Sequence, residues 1–265
     1  MLNQIRREFW LFRIKSRRRL RLPKRNFKNS SWENNQIENL HILATGKADY
    51  AVAAINCANT FWKISSRTRI IIYVDTETQT IISSKARKIK NISQLSTVLV
   101  PKNKSWQELK LWIILEKLTE NDLFSDADLI WNGNPGIQQQ PFAFVREFNM
   151  AENAVYAQLL RKLELEDEEI YMYNTSVVHL SYLCGDKNLL TTVWDSYVNI
   201  IDICGQKGSE LIGGAKTKRL AEQIALSIGF STLSWGEFGV LKESDSPMDG
   251  GIAESYYLGT TKGWE

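Results

Sequence analysis

The chain has little of the chemistry that builds zinc sites, disulfide frameworks or membrane spans. Of its 265 residues, two are histidine and three are cysteine. Cys57, Cys184 and Cys204 lie far apart without metal-ligand spacing, which predicts buried free thiols in a reducing, cytoplasmic compartment. His41 and His179 fall in strand-like runs, which favours packing within strands over a zinc site. No apolar run of about eighteen residues occurs, so we expect no transmembrane helix.

Positive charge is concentrated at the beginning of the sequence. Residues 1–28 hold eleven basic residues and one acid, whereas residues 29–265 carry a net charge of −7. Phe9, Trp10 and Phe12 stand among the arginines, a composition typical of segments that lie on an anionic membrane surface. A secretory signal is disfavoured because arginines follow the short apolar stretch. A partly disordered tail and a nucleic-acid arm are the alternatives, and we favour the membrane over nucleic acid.

This asymmetry divides the chain into two parts. We expect a basic arm and linker over residues 1–35 and one folded domain over residues 36–265, because Pro23 and a polar stretch separate the arm from the first periodic segment. The expected location is cytoplasmic, with peripheral attachment to the inner face of a membrane.

Strand-like and helix-like segments alternate after residue 39. Buried-strand runs lie at 40–45, 68–74 and 96–100, and helical patterns lie at 50–63 and from a capping box at Ser105 and Glu108 to about residue 118. Further helices are predicted at 152–165, 186–201 and 219–228, and a further strand at 170–180. This alternation predicts an α/β fold with a mainly parallel sheet flanked by helices, in which ligands bind at the carboxyl ends of the strands.

Two carboxylates stand two residues apart in the segment from Ser125 to Trp131. On a strand, Asp126 and Asp128 would project to one face, where they would repel unless a cation lay between them. Carboxylate oxygens suit Mg²⁺ or Mn²⁺, and such ions commonly bridge protein carboxylates and substrate phosphates. We interpret the pair as a metal–diphosphate site, with a solvated turn as the alternative.

Several short motifs, taken in chain order, resemble those of a known family. They are the turn from Thr45 to Tyr50, Lys110 sixteen residues before Asp126, Asp126-Ala127-Asp128, Asn174-Thr175-Ser176, Glu222-Gln223, and the closing Tyr256-x-x-Gly259-x-x-Lys262-Gly263-Trp264. Together they resemble the GT-A glycosyltransferases, most closely the family 8 group that includes glycogenin and the bacterial lipooligosaccharide galactosyltransferases. The resemblance covers roughly residues 40–131 and then patches to the end.

The resemblance implies a role for each of these positions. It implies donor contacts for Thr45, Tyr50, Asp75, Lys110, Asn174, Gly259 and Lys262, metal ligands for Asp126 and Asp128, and reaction-centre residues for Glu222 and Gln223. The chain departs from the family pattern at five places. These are Lys47 where the family often has an aspartate, Ser176 for a glycine, Glu222 for an aspartate, Tyr256 for the histidine that completes the metal shell, and Gly263 for a proline.

The resemblance also implies the reaction. It implies transfer of a hexose from a nucleoside diphosphate sugar, expected to be UDP-linked, to a glycan or lipid-linked acceptor, with Mn²⁺ or Mg²⁺ and with retention at the anomeric carbon. A sugar-phosphate nucleotidyltransferase is one alternative, although that chemistry usually needs a richer phosphate loop than Gly46-Lys47. A membrane or nucleic-acid binding module driven by the basic arm is the other.

Overall fold

The computed structural model describes Glu8, Leu11 and residues 37–132, 141–233, 239–242 and 253–255, with the backbone alone at 144–146, 233, 239–242 and 253–255. The described strands are β1 (Asn39–Ala44), β2 (Arg69–Val74), β3 (Leu95–Leu99), β4 (Asp122–Asp126), β5 (Leu129–Trp131), β6 (Phe142–Asn149), β7 (Tyr171–His179), β8 (Gly239–Lys242) and β9 (Ala253–Ser255). The described helices are α1 (Ala48–Ile64), α2 (Thr76–Ser84), α3 (Trp106–Glu116), α4 (Ala154–Lys162), α5 (Lys187–Gly205), α6 (Gly214–Arg219) and α7 (Ala221–Leu233).

Seven strands form one mixed sheet in the order β3-β2-β1-β4-β7-β6-β8. Strands β3, β2, β1 and β4 are parallel, β7 is antiparallel to β4 and β6, and β8 is parallel to β6. The α/β fold with a mainly parallel sheet flanked by helices, predicted from the sequence, is therefore confirmed. The chain leaves β1 toward β2 and returns from β3 to β4, so the topological switch point lies between β1 and β4, where such sheets bind ligands.

Apolar side chains cover both faces of the sheet because strand residues alternate between the faces. Leu40 and Ile42 of β1 belong to a buried cluster with Phe61 of α1 and Ile82 of α2. On the other face, Leu43 packs against a cluster built from α3, α5 and α7. A helix pair therefore covers one face of the parallel half, and a helical layer covers the other.

Several elements differ from the sequence-based prediction, and α6, β8 and β9 are among those that were not predicted. Helix α2 was not predicted, because its sequence TETQTIISS has few apolar residues and Asp75 caps it through its own side chain. Strand β6 was also missed, and two irregularities in its pairing with β7 break the simple alternation that identifies a strand. The predicted single strand through Asp126 and Asp128 is wrong: β4 ends at Asp126, the next two residues form a turn, and β5 begins at Leu129.

A buried polar network runs across the sheet from the amino-terminal ends of β1 and β4 to Tyr73 of β2. His41 Nδ1 lies 3.0 Å from Tyr73 Oη, and His41 Nε2 lies 3.2 Å from Asp122 Oδ2. Asn39 Nδ2 donates to Asp122 Oδ1 at 2.6 Å, and Thr119 N and Oγ1 donate to Oδ2. Burial alone would raise the pKa of Asp122, but these hydrogen bonds outweigh it and lower the pKa. The prediction that His41 packs within a strand is confirmed by its 3% exposure.

The predicted arm falls almost entirely outside the described residues. Only Glu8 and Leu11 of residues 1–36 are described; both are helical, and Leu11 is buried in the cluster on the α3 side of the sheet. Among the described helices, none combines the length and the apolar character that crossing a bilayer requires.

Candidate active site

A cavity of about 920 Å³ lies at the carboxyl ends of β1, β2, β3 and β4. Segments that follow each of these strands line it, together with the first turn of α3. The lining residues are Leu43, Thr45, Gly46, Lys47, Tyr50, Asp75, Thr76, Glu77, Leu99, Val100, Pro101, Lys102, Lys104, Trp106, Leu109, Lys110, Asp126, Ala127 and Asp128. The structure thus brings together six residues that the sequence assigned to donor or metal binding: Thr45, Tyr50, Asp75, Lys110, Asp126 and Asp128.

Lys110 and Asp126 form a partly buried ion pair in the lining of this cavity. The Lys110 ammonium lies 2.9 Å from Asp126 Oδ1 and 3.1 Å from Oδ2, so it contacts both carboxylate oxygens. The Lys110 side chain is 6% exposed and lies above the ring of Phe124, with Nζ 5.4 Å from the ring centroid. The ammonium therefore has little water around it, and Asp126 is its main counter-charge.

Asp128 lies in the turn after β4, where Asp126 is its neighbouring like charge. Burial and the Asp126 charge together raise the pKa of Asp128 to about 7, against the opposing influence of Lys110. Tyr50 faces the same pair from the start of α1: burial raises the pKa of its phenol, and the charges of Asp128 and Asp126 raise it further. The ligand-free site therefore holds more negative charge than Lys110 can neutralise.

Asp75 holds the first loop of the cavity in place. Its Oδ1 accepts a hydrogen bond from Thr78 N at 2.8 Å and caps α2, while its Oδ2 accepts one from Gly46 N at 2.6 Å. Burial would raise the pKa of Asp75, but these bonds lower it. Gly46 has φ +89°, a left-handed conformation that glycine adopts without strain. Both oxygens are thus used within the chain, which positions the turn between Thr45 and Tyr50.

Three further predicted residues that the structure describes, Asn174, Glu222 and Gln223, are not part of the cavity lining. Asn174 lies in β7 where its pairing with β6 is irregular, and its Oδ1 accepts a hydrogen bond from Ser176 N at 2.9 Å. Glu222, the second residue of α7, is 3% exposed, and burial raises the pKa of its carboxyl group although Lys110 favours the charged form. Gln223 beside it is half-buried.

Gln107 is a site-associated residue that sequence reasoning missed. Its Nε2 donates to Glu222 Oε2 at 3.1 Å and to the Lys218 carbonyl at 2.7 Å. Gln107 and Lys110 stand three residues apart on α3, so both lie on the helix face directed at Glu222 and Asp126. The only signal in the sequence was this spacing, and the partner on α7 lies more than a hundred residues away.

The closing motif lies outside the described residues. Tyr256, Gly259 and Lys262 therefore stay predictions. The residue before them, Ser255, is described: it ends β9 and pairs with Leu129, which directly follows Asp128. The chain that leads into the motif is thus placed next to the carboxylate pair.

The donor chemistry of the pair fits a hard divalent cation. Asp126 and Asp128 offer carboxylate oxygens, the ligands that Mg²⁺ and Mn²⁺ prefer. No group of three or more histidine, cysteine, aspartate or glutamate side chains arranged to hold a metal occurs among the residues that the structure describes. An ion bound here would have two carboxylate ligands from this part of the chain, and one of them would be shared with Lys110.

The comparisons with known proteins returned structures but no sequence relatives. No protein-family model and no curated protein matches the chain. The structure of WbbM, a bifunctional glycosyltransferase, matches with a TM-score of 0.46 and 9% identity over 72% of this chain, which spans 38% of that protein. The galactosyltransferase LgtC, in complex with donor and acceptor sugar analogues, matches with a TM-score of 0.43 and 11% identity over 83% of this chain and 87% of that one. The mannosyltransferase PcManGT from Pyrobaculum calidifontis, in complex with GDP-Man and Mn²⁺, matches with a TM-score of 0.37 and 11% identity over 88% of this chain and 86% of that one. This chain is thus similar to glycosyltransferases, the class that its motifs resemble.

Proposed function

We propose that the protein is a glycosyltransferase that moves a hexose from a nucleoside diphosphate sugar, with UDP as the expected nucleotide, to a glycan or lipid-linked acceptor. One observation carries the proposal: Asp126, Asp128 and Lys110 meet in the lining of a cavity of about 920 Å³, at the switch point of a parallel sheet. Pockets that bind small molecules and cofactors typically measure about 300–1,000 Å³. Paired carboxylates beside a fixed ammonium suit a diphosphate and its cation.

Asp126 and Asp128 would hold Mn²⁺ or Mg²⁺, which when bound would stabilise the negative charge of the leaving diphosphate. The chain's own groups prepare this site. Lys110 fixes the orientation of Asp126 by contacting both of its oxygens. Asp75 holds the Thr45–Tyr50 turn, and Tyr50 offers a ring against which a nucleobase can stack.

Glu222 would act on the reaction through Lys110. Its buried carboxyl group and Asp126 both interact electrostatically with the Lys110 ammonium, so Glu222 would help to position that ammonium. Gln223, the next residue and half-buried, stays the candidate for contact with the sugar. Asn174, Gly259, Lys262 and Tyr256 stay candidates for the rest of the donor and metal shell. Retention at the anomeric carbon is part of the proposal through the family resemblance.

The test measures ligand binding and transfer together. The purified protein is heated with UDP-glucose, UDP-galactose or GDP-mannose, with and without Mn²⁺, and the variants Asp126→Asn and Asp128→Asn are compared with the exposed-acid control Asp202→Asn. We expect one nucleotide sugar with Mn²⁺ to raise the melting temperature of wild type and control, and not of the two site variants. In an activity assay, release of pyrophosphate from a nucleoside triphosphate as a sugar phosphate is joined to it, in place of sugar transfer from a nucleotide sugar, would assign the protein to the nucleotidyltransferases. Equal stabilisation of all four proteins would remove the carboxylate pair from the donor site.

A further inference from the structure

The part of the chain from α1 to the start of α3 is strongly basic. Residues 48–107 contain nine basic side chains and three acidic ones, whereas residues 108–265 carry twelve basic and twenty-four acidic side chains. The three acids are Asp49, in the first turn of α1, and Asp75 and Glu77, which line the cavity at the carboxyl edge of the sheet. The opposite edge of this part of the domain has no acid of its own.

Six exposed cations lie at that opposite edge, which we name the basic edge: Lys63, Arg67, Arg69, Arg87, Lys88 and Lys90. The topology brings them together. Helices α1 and α2 start after the carboxyl ends of β1 and β2, so they end at the amino-terminal edge, where β2 and β3 begin. Within the described part of the chain, no acid lies within ion-pair distance of any of the six.

The turn that carries three of these cations is fixed to α1. Asn59 Nδ2 donates to the Lys88 carbonyl at 2.9 Å, and Lys90 N donates to Asn59 Oδ1 at 3.0 Å. Lys63 lies one helical turn after Asn59, on the same face of α1. The six cations therefore form an ordered surface on the folded domain.

An apolar side chain projects beside these charges. Ile92, two residues after Lys90, is 52% exposed, whereas Ile89, which directly precedes Lys90, is buried. An exposed aliphatic side chain among cations fits the interface of a bilayer, where the cations meet lipid phosphates and the apolar group enters the acyl boundary. A nucleic acid backbone would use the cations alone.

The chain joins the domain at this same edge. The Ile37 carbonyl accepts a hydrogen bond from Thr68 Oγ1 at 2.9 Å, and the Glu38 carbonyl accepts one from Arg69 N at 3.0 Å. Residues 1–28, with their eleven basic side chains, precede this junction in the sequence. The described chain that follows the arm in the sequence therefore begins beside Arg67 and Arg69.

We propose that the basic edge, with Ile92, is a docking surface for an anionic lipid bilayer. The cavity lies at the other end of strands of six residues, about 20 Å away at 3.3 Å per residue. Docking in this way leaves the cavity open, facing away from the bilayer. It favours an acceptor whose reacting sugar stands some distance from the lipid surface.

The test is co-sedimentation of the full chain with phosphatidylcholine vesicles that contain or lack phosphatidylglycerol. The variant Arg87→Gln/Lys88→Gln/Lys90→Gln removes three charges from the basic edge. Its matched control, Lys187→Gln/Lys207→Gln/Lys216→Gln, removes three exposed charges from the acidic part of the chain. We expect the first to lower the partition coefficient on anionic vesicles about tenfold or more. The control should stay within about twofold of wild type.

A second pair of variants tests the apolar contact. Ile92→Ser should lower the vesicle binding that persists at high salt. Leu211→Ser removes an aliphatic side chain of the same size that is 68% exposed outside the basic edge, and it should leave that binding unchanged. Equal losses in the two charge variants, or no loss in either, would overturn the docking surface and assign any vesicle binding to net charge or to the arm. Tighter binding to a short DNA duplex than to vesicles, with no effect of Ile92→Ser, would overturn the lipid as the partner.

Discussion

The two carboxylates of the candidate site should respond to the same substitution with opposite changes in stability. In the ligand-free protein, Asp128 is ionised at a cost, because burial and Asp126 raise its pKa from 3.8 to about 7. At about 1.4 kcal/mol per unit, this rise corresponds to roughly 4 kcal/mol. Asp128→Asn removes the charge and keeps the shape, so we expect it to stabilise the ligand-free protein by about 2–4 kcal/mol at pH 8.

Asp126→Asn should have the reverse effect. It leaves the Lys110 ammonium, 6% exposed, without its main counter-charge. Breaking a buried ion pair in this way costs about 3–5 kcal/mol, and the 28% exposure of Asp126 together with the relief of its repulsion of Asp128 reduces the cost here to about 1–2 kcal/mol. Both variants should nevertheless lose sugar transfer, because each removes one carboxylate ligand.

The assay is thermal and urea denaturation with a chelator at pH 5 and pH 8, with Asp202→Asn as the exposed control. A raised folded-state pKa means that the folded protein binds the proton more tightly than the unfolded chain. The stability of wild type relative to Asp128→Asn is therefore lost as the pH rises from about 4 to about 7, and the gain from the substitution is larger at pH 8. A destabilised Asp128→Asn, or a gain independent of pH, would refute the description of Asp128 as a strained charge.

Three further substitutions probe the scaffold around the site. Asp122→Ala should destabilise the protein by about 3 kcal/mol, since it leaves several buried donors unpaired; because its folded pKa is lowered, the contribution of Asp122 is present above pH 4 and is lost as the pH falls further, which urea denaturation at pH 7 and pH 3 would reveal. Gly229→Ala should cost about 1–3 kcal/mol, because a Cβ there would lie 2.5 Å from the Val193 side chain, whereas Gly205→Ala, with open space around it, should cost nothing measurable in the same denaturation. Gln107→Leu removes the donor to Glu222 without touching the cavity, so kcat should fall about tenfold with little change in the donor KM, and an unchanged kcat would reduce Gln107 to a packing role.

The sequence predicted those features of the fold that depend on local patterns. Buried β-branched runs identified the parallel strands, and Ser105 with Glu108 predicted the capping box that begins α3, which the structure confirms with both hydrogen bonds. The carboxylate pair could be found because two aspartates followed an apolar run. Its geometry could not, because the strand that follows the turn at Asp128, β5, pairs with β9, which lies more than a hundred residues later in the sequence.

For the same reason, the sequence alone could not predict roles that depend on contacts between residues far apart in the chain. Asp75, directly after β2, was interpreted as a donor ligand and stays a candidate; the structure shows that its oxygens accept hydrogen bonds from Gly46 N and Thr78 N, which the sequence did not reveal. Glu222 was predicted to lie at the reacting face; the structure shows its carboxyl group buried next to Gln107, and its role stays a prediction. The spacing of residues along α7 does not indicate which helix packs against it.

The charges of the site explain why a single lysine matters there. Three carboxyl groups, Asp126, Asp128 and Glu222, lie around one ammonium in surroundings where burial disfavours every unpaired charge. Lys110 can neutralise one of them, and burial raises the pKa of Asp128 and of Glu222, so the ionised forms of the other two carboxyl groups carry a free-energy cost. A divalent cation bound by these carboxylates would neutralise the negative charge that Lys110 leaves unpaired. Lys110 is paired with Asp126 and interacts electrostatically with Glu222. Asp128 is therefore the carboxylate whose ionised form an added cation would stabilise most.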